Sequence, residues 1–222
     1  MSSRLRARLY DLAAASPLIA WLGLGVFGLT RQIASEIAWY PVSPRLVLQI
    51  ASEITTVCFL GLQIVLFLVR YLPTTKKFGI IPRLVAAAAA NAGLLFLLLP
   101  RVSFLPIGMA IASDLLVTAG MLLSILVLIW LGRSFSVFPQ ARRLVVTGPY
   151  SVLRHPLYLS ELLTSLGAMW QFSQPWAALI AIGTMALQFP RMNYEEDILA
   201  RTFPEYATYA RRVRWRLVPL VY

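Results

Sequence analysis

Polarity along the chain alternates on a long period. Apolar runs close to the ~20 residues a helix needs to cross a bilayer are separated by short stretches rich in Arg, Pro and Gly. Residues 17–40 (interrupted by Arg31 and Glu36), 46–69, 84–99 and 105–131 each predict a spanning helix. Two shorter runs, 157–172 and 176–189, are joined by Ser173, Gln174 and Pro175. Their brevity predicts a tight helical hairpin rather than two full-length spans. From Pro190 onward apolar and charged positions interleave as in an amphipathic helix. Pro204 must break it, and "PEYATYARR" predicts a second short helix with that proline in its first turn. The expected fold is all-α, a polytopic transmembrane helical bundle of about six membrane segments. The last two form the hairpin, and amphipathic C-terminal helices follow it on the cytoplasmic side. Residues 1–222 read as one domain, with four transmembrane helices in 1–131 and a C-terminal region in 132–222.

Polar positions inside the runs refine this pattern. Gln49, Glu53, Thr56 and Gln63 share one helical face, and Asp114 and Thr118 share another. Intramembrane carboxylates are costly and invite a functional reading. These lie toward the outer end of their helices, away from the basic, motif-rich segments, and so predict polar stripes that hydrogen-bond between helices. "VAAAAANAG" predicts close packing of small side chains against a neighbour. "RRLVV" reads as a short extended piece. The first run lacks a small-residue cleavage site and is followed by further spans, as expected of an uncleaved helix.

Composition agrees: mean hydropathy is +0.74 and only 13% of residues are charged, which excludes an ordinary soluble domain. The lone Cys58 excludes an intrachain disulfide. The net charge of +11 would suit a nucleic-acid binder, but its distribution refutes that reading. Arg4, Arg6 and Arg8 precede the first run, and Arg70, Lys76, Lys77 and Arg83 separate the second and third. Arg133, Arg142, Arg143 and Arg154 follow the fourth, and Arg191, Arg201, Arg211, Arg212, Arg214 and Arg216 follow the hairpin. The other side keeps Arg45 and Arg101, with Arg31 ambiguous. The positive-inside rule then places both termini in the cytoplasm, with the plasma (inner) membrane as the expected location. Basic residues facing anionic headgroups make membrane lipids the partners of this charge, and no nucleic acid is expected.

Two polar segments flank the hairpin and carry its chemistry. "TGPYSVLRHPLYLSE" (147–161) holds the only histidine, and "RMNYEEDILARTFPEYATY" begins at Arg191. Pro156 is suited to a first helical position, and free amides of that first turn beside Arg154 and His155 predict an anion-binding end. Tyr158 and Glu161 fall one turn apart, Arg191 and Glu195 form an i,i+4 pair, and Asn193 and Glu196 are three apart. Closing the hairpin brings cationic groups from one segment to carboxylates from the other. A ligand matching both is an amino-acid zwitterion bearing a ribose and a sulfonium, the latter attracted to tyrosine faces.

These residues resemble the isoprenylcysteine carboxyl methyltransferase and phospholipid methyltransferase family of membrane enzymes. Arg154, His155, Pro156 and Tyr158 match the family's Arg-His-Pro-x-Tyr-x-Gly box, and Glu195 and Glu196 match its Glu-Glu box. Phe203, Tyr206, Tyr209 and Pro219 fit the tail, so the resemblance covers roughly the C-terminal 90 residues. Ser160 stands where the family has glycine. The resemblance implies that 132–222 binds S-adenosyl-L-methionine through Tyr150, His155, Tyr158, Leu159, Asn193, Glu195 and Glu196. It implies methyl transfer to a lipid-like acceptor served by Arg154, Arg191 and Glu195. An acceptor carboxylate would be oriented by an arginine, whereas an amine would need a base such as Glu195, Glu196 or His155. No metal-ligand set is read, and no Gly-rich dinucleotide fingerprint is present. A sterol-type membrane reductase using a nicotinamide cofactor, a transporter built on Glu53 and Asp114, and a non-catalytic scaffold are the alternative classes.

Overall fold

A computed structural model describes residues 3–72, 79–138 and 140–221; Lys76 and Lys77 lie outside the described residues. The helices are α1 (Ser3–Trp39), α2 (Pro44–Val69), α3 (Ile80–Asn91), α4 (Ile107–Leu131), α5 (Pro156–Met169), α6 (Trp176–Thr202) and α7 (Tyr206–Arg212). The third apolar run ends not as α-helix but as a 3-10 segment, Ala92–Leu98. Among the described residues no strand forms, and "RRLVV" is irregular. No neighbouring strand offers it a ladder; instead Leu144 and Val146 pack against Tyr206, Tyr209 and Val213.

Among the described residues three helices, over Leu5–Trp39, Pro44–Val69 and Ile107–Ser134, are long and apolar enough to cross a bilayer, and the protein is an integral membrane protein. α2 starts where Ser43 accepts a hydrogen bond from the Leu46 amide at 3.2 Å and Pro44 occupies the first turn. α3 and α5, with 12 and 14 residues, are short of that length. α6 differs from expectation: the second hairpin arm and the amphipathic helix are one continuous rod of 27 residues with Pro190 inside it, about 40 Å long at 1.5 Å per residue. A proline costs one backbone bond there, a loss that packed neighbours can accommodate in membrane helices. Pro204 does break the helix, but it lies ahead of α7, whose N-cap is Glu205, and not in its first turn.

α4 and α5 cross at close range through small residues. Ser113 Oγ donates to the Gly167 carbonyl at 2.8 Å and Ser124 Oγ donates to Ser160 Oγ at 2.6 Å. A methyl group at Gly120 would lie 2.4 Å from Thr164 Oγ1 and 2.9 Å from the Ser160 carbonyl. Ser160, fully buried, therefore serves helix contact. Ala86, Ala89 and Ala92 are buried as the small-residue run predicts.

The polar stripe of α2 meets α1. Gln32 Nε2 donates to Glu36 at 3.0 Å and to Glu53 at 2.7 Å, and Gln49 Nε2 donates to Glu36 at 2.8 Å. Thr56 instead bonds within its own helix, to the Ser52 carbonyl. Asp114 accepts from Gln171 Nε2 at 3.2 Å, beside the hairpin turn. At the opposite end, Asp11 of α1 pairs with Arg70 at 2.9 Å and with Arg142 at 3.2 Å. That ties α1 and the end of α2 to the segment after α4.

Candidate cofactor cleft

The continuous rod of α6 places the second polar segment against the start of α5. His155 is the N-cap of α5 and Pro156 its first residue. The expected free amides of that turn are partly used: the N–H groups of Tyr158 and Leu159 both donate to the His155 carbonyl, at 3.1 and 3.3 Å. The turn tightens on itself and spends those donors internally, so side chains carry most of the site's polarity.

Glu196 is a hub. Arg154 Nη1 donates to Oε2 at 3.0 Å, while His155 Nε2 lies 2.9 Å and Arg216 Nε 3.0 Å from Oε1. A carboxylate has no proton to give, so the imidazole donates Nε2–H. Burial alone would raise the Glu196 carboxyl, but the His155 hydrogen bond and the charges of His155, Arg154 and Arg216 outweigh it and hold its pKa below the ordinary carboxylate value. Neighbouring Glu195 faces the other way: Tyr158 Oη donates to it at 2.6 Å, His155 Nδ1 is 3.9 Å away, and its side chain keeps 41% exposure. The Tyr158 ring stacks on His155 with centroids 5.2 Å apart, and the Arg191 guanidinium sits 4.6 Å from its centre. Arg191 also reaches Glu161 at 3.5 Å.

These groups border a cleft that is partly open to solvent. Tyr150, Arg154, His155, Tyr158, Arg191 and Glu195 line it. Asn193 and Glu196 do not, since they bond to Arg216 of the C-terminal tail, Asn193 Oδ1 accepting at 2.6 Å. Leu159 packs on the cluster of Tyr158, Met192 and Leu217. Ser134, Ser136, Gln140, Arg142 and Leu144, with Tyr206 and Tyr209, also line the cleft, and this segment supplies residues that sequence reasoning missed. Ser136, Gln140 and Arg142 are among them, and Arg142 read only as part of the topological charge. No periodicity marks an irregular wall. Burial and then the Glu195 charge push the Tyr150 phenol up. Burial and then the Arg70 charge push Arg142 down to about 10, against the pull of Asp11. Nε of Arg142, Arg154 and Arg191 and Oγ of Ser136 are buried without a partner. Unsatisfied donors of this kind are uncommon, and all four belong to residues that line the cleft.

Residues 109–206 match the family model described as phospholipid methyltransferase. A nickel-cobalt-cadmium resistance protein (NccN) of Alcaligenes xylosoxydans xylosoxydans is 45% identical over 76 residues, 33% of this chain and 35% of that protein. A cobalt-zinc-cadmium resistance protein (CzcN) of Cupriavidus metallidurans is 43% identical over 107 residues, 45% and 48% of the two chains. Protein-S-isoprenylcysteine O-methyltransferase B of Arabidopsis thaliana is 37% identical over 90 residues, 37% and 45%. The chain spans less than half the length of each of these relatives. The matched region contains both polar boxes and most of the cleft, so the similarity to phospholipid and isoprenylcysteine methyltransferases is carried by the part of the chain that builds the site.

Proposed function

We propose that the protein is an S-adenosyl-L-methionine-dependent methyltransferase acting on a lipid-like acceptor at the cytoplasmic edge of the membrane, with about six membrane segments and both termini cytoplasmic. The carrying observation is the cleft that joins Arg154, His155 and Tyr158 to Arg191 and Glu195. Its chemistry fits the cofactor: the arginines that line it suit a carboxylate, the half-exposed Glu195 suits an ammonium or ribose hydroxyls, and Tyr150, Tyr206 and Tyr209 offer aromatic surface. When bound, S-adenosyl-L-methionine supplies an electrophilic methyl group.

The chain's own part is to bind, align and exclude water. Glu196 fixes Arg154 and His155, and Arg191 and Glu195 hold the Tyr158 ring and hydroxyl. For an acceptor carboxylate, arginine orientation suffices. For an amine, Glu195 has the exposure to take the departing proton, with the Tyr158 hydroxyl stabilising its charged form. The acceptor's acyl or prenyl chain would enter from the bilayer along α5 and α6, where Leu162, Ala181 and Met185 border a second, small cavity together with Tyr158, Glu161 and Gln188. The metal-resistance names of two relatives have no counterpart in it: among the described residues, no group of three or more His, Cys, Asp or Glu is placed to hold a metal.

Calorimetric titration of the purified protein with S-adenosylhomocysteine, and separately with a reduced nicotinamide cofactor, tests the reading. Saturable binding of the first alone is expected. Binding of the nicotinamide alone would overturn it in favour of a membrane reductase, and binding of neither would leave the boxes structural.

A further inference from the structure

Arg216 lies beyond the matched region, in the tail that follows α7, yet it reaches into the hub. The backbone N–H groups of Arg154 and His155 donate to the Trp215 and Arg216 carbonyls at 3.0 and 2.9 Å. Leu217, 2% exposed, packs on Tyr158 and Met192. The tail is thus strapped to the first box by main-chain bonds and buried contact. From that fixed position the Arg216 fork divides between Glu196 Oε1, at 3.0 Å from Nε, and Asn193 Oδ1, at 2.6 Å from Nη2.

Glu196 Oε1 is shared by Arg216 Nε and His155 Nε2. A cation donating to that oxygen fixes its direction. A charged, fixed acceptor in turn keeps the ring proton of neutral His155 on Nε2. Nδ1, on the other side of the ring and 3.9 Å from Glu195, is then left as an acceptor at the cleft wall. We infer that Arg216 is a positioning residue that acts through Glu196 to set the tautomer and orientation of His155, making the C-terminal tail part of the ligand site. Its consequence for ligand binding rests on the cleft's reading as the cofactor site.

His155 is the only histidine in the chain, so ¹⁵N-histidine labelling reports on it alone, without a ligand. In detergent-solubilised protein, at a pH where imidazole is neutral, the wild type should show the Nε2–H tautomer. Arg216→Gln should show a mixture with Nδ1–H, and Arg216→Lys, which keeps the charge, should stay near wild type. Arg216→Met, which keeps the apolar stem, gives the same comparison if the Gln variant does not fold. In parallel, Arg216→Gln should weaken S-adenosylhomocysteine binding roughly tenfold, the cost of misdirecting the one hydrogen bond His155 offers the ligand, while Arg214→Gln at an exposed neighbouring position leaves it unchanged. An unchanged tautomer in Arg216→Gln overturns the inference whatever the affinity does, and a shifted tautomer with full affinity overturns it too. A shifted tautomer in a protein whose wild type binds no S-adenosylhomocysteine leaves the positioning role standing and overturns the cofactor reading.

Discussion

Glu196→Gln keeps the size of the side chain and removes the charge on which three donors converge. Arg154, His155 and Arg216 bond to it at 3.0, 2.9 and 3.0 Å, and its side chain is 17% exposed. One charge-assisted hydrogen bond contributes about 1.5–3 kcal/mol. Three do not add, because they share two oxygens and the arginines keep some access to water. A net loss of about 2–4 kcal/mol is expected, below the range for a fully buried pair. For a chain of this length that lowers the thermal midpoint by roughly 5–12 °C on the scale of soluble domains. The pH dependence is more diagnostic. The folded-state pKa of Glu196 is lowered, so its contribution is fully present above the unfolded carboxylate value of about 4.3 and is lost as pH falls through the lower folded value. The wild-type advantage should therefore persist through the histidine range near pH 6.5 and collapse only below the ordinary carboxylate range. Unfolding of both proteins in one detergent, followed by tryptophan fluorescence from neutral pH to about pH 3, makes the comparison. Equal midpoints at neutral pH, or an advantage that fades between about pH 8 and 6, would refute the hub.

Four further outcomes follow from the geometry. His155→Ala should weaken S-adenosylhomocysteine binding by roughly 1–3 kcal/mol in protein that still inserts; calorimetry reads it, and unchanged affinity would make His155 a structural cap. Gly120→Val should destabilise the α4–α5 crossing, since its first added carbon already meets Thr164 and the Ser160 carbonyl at under 3.0 Å; a midpoint within about 1 °C of wild type would contradict that packing. Asp114→Asn should be nearly silent for cofactor affinity, because asparagine can still accept the Gln171 bond and the site lies at the far end of α4; lost turnover with intact binding would mean the acceptor path reaches that layer. Turnover should rise with acceptor chain length, by up to ~0.8 kcal/mol per buried methylene, when one headgroup is compared at matched free concentration; equal rates would exclude entry along α5 and α6.

Much of the architecture was legible because its signals are local. Apolar run lengths give α2 and α4 to within a few residues at each end, whereas α1 begins at Ser3, well ahead of its run, and passes through Pro17; the paired boxes identify the hairpin's polar end. What failed was punctuation. Pro190 reads as a helix start from local rules, yet α6 runs through it, because neighbouring helices decide whether a lost backbone bond is tolerated. The consequence is functional: Arg191, Glu195 and Glu196 ride on the same continuous helix as the apolar second arm of the hairpin, and their placement is inherited from the packing of that arm.

The division of labour between Glu195 and Glu196 shows what spacing alone cannot settle. Adjacent on a helix, they point about 100° apart at 3.6 residues per turn, so they cannot serve one partner in the same way. The sequence offers no sign of which faces the cleft, because that depends on where the tail returns. The tail returns on the side of Glu196. Arg216 and the backbone strap on Arg154 and His155 take that carboxylate out of the cleft and make it structural. Glu195, left with a tyrosine hydroxyl and substantial exposure, becomes the carboxylate available to a ligand. Residues twenty positions downstream of Glu196 thus choose the roles of two identical neighbours. A chain ending before Trp215 should keep both boxes and lose the distinction between them.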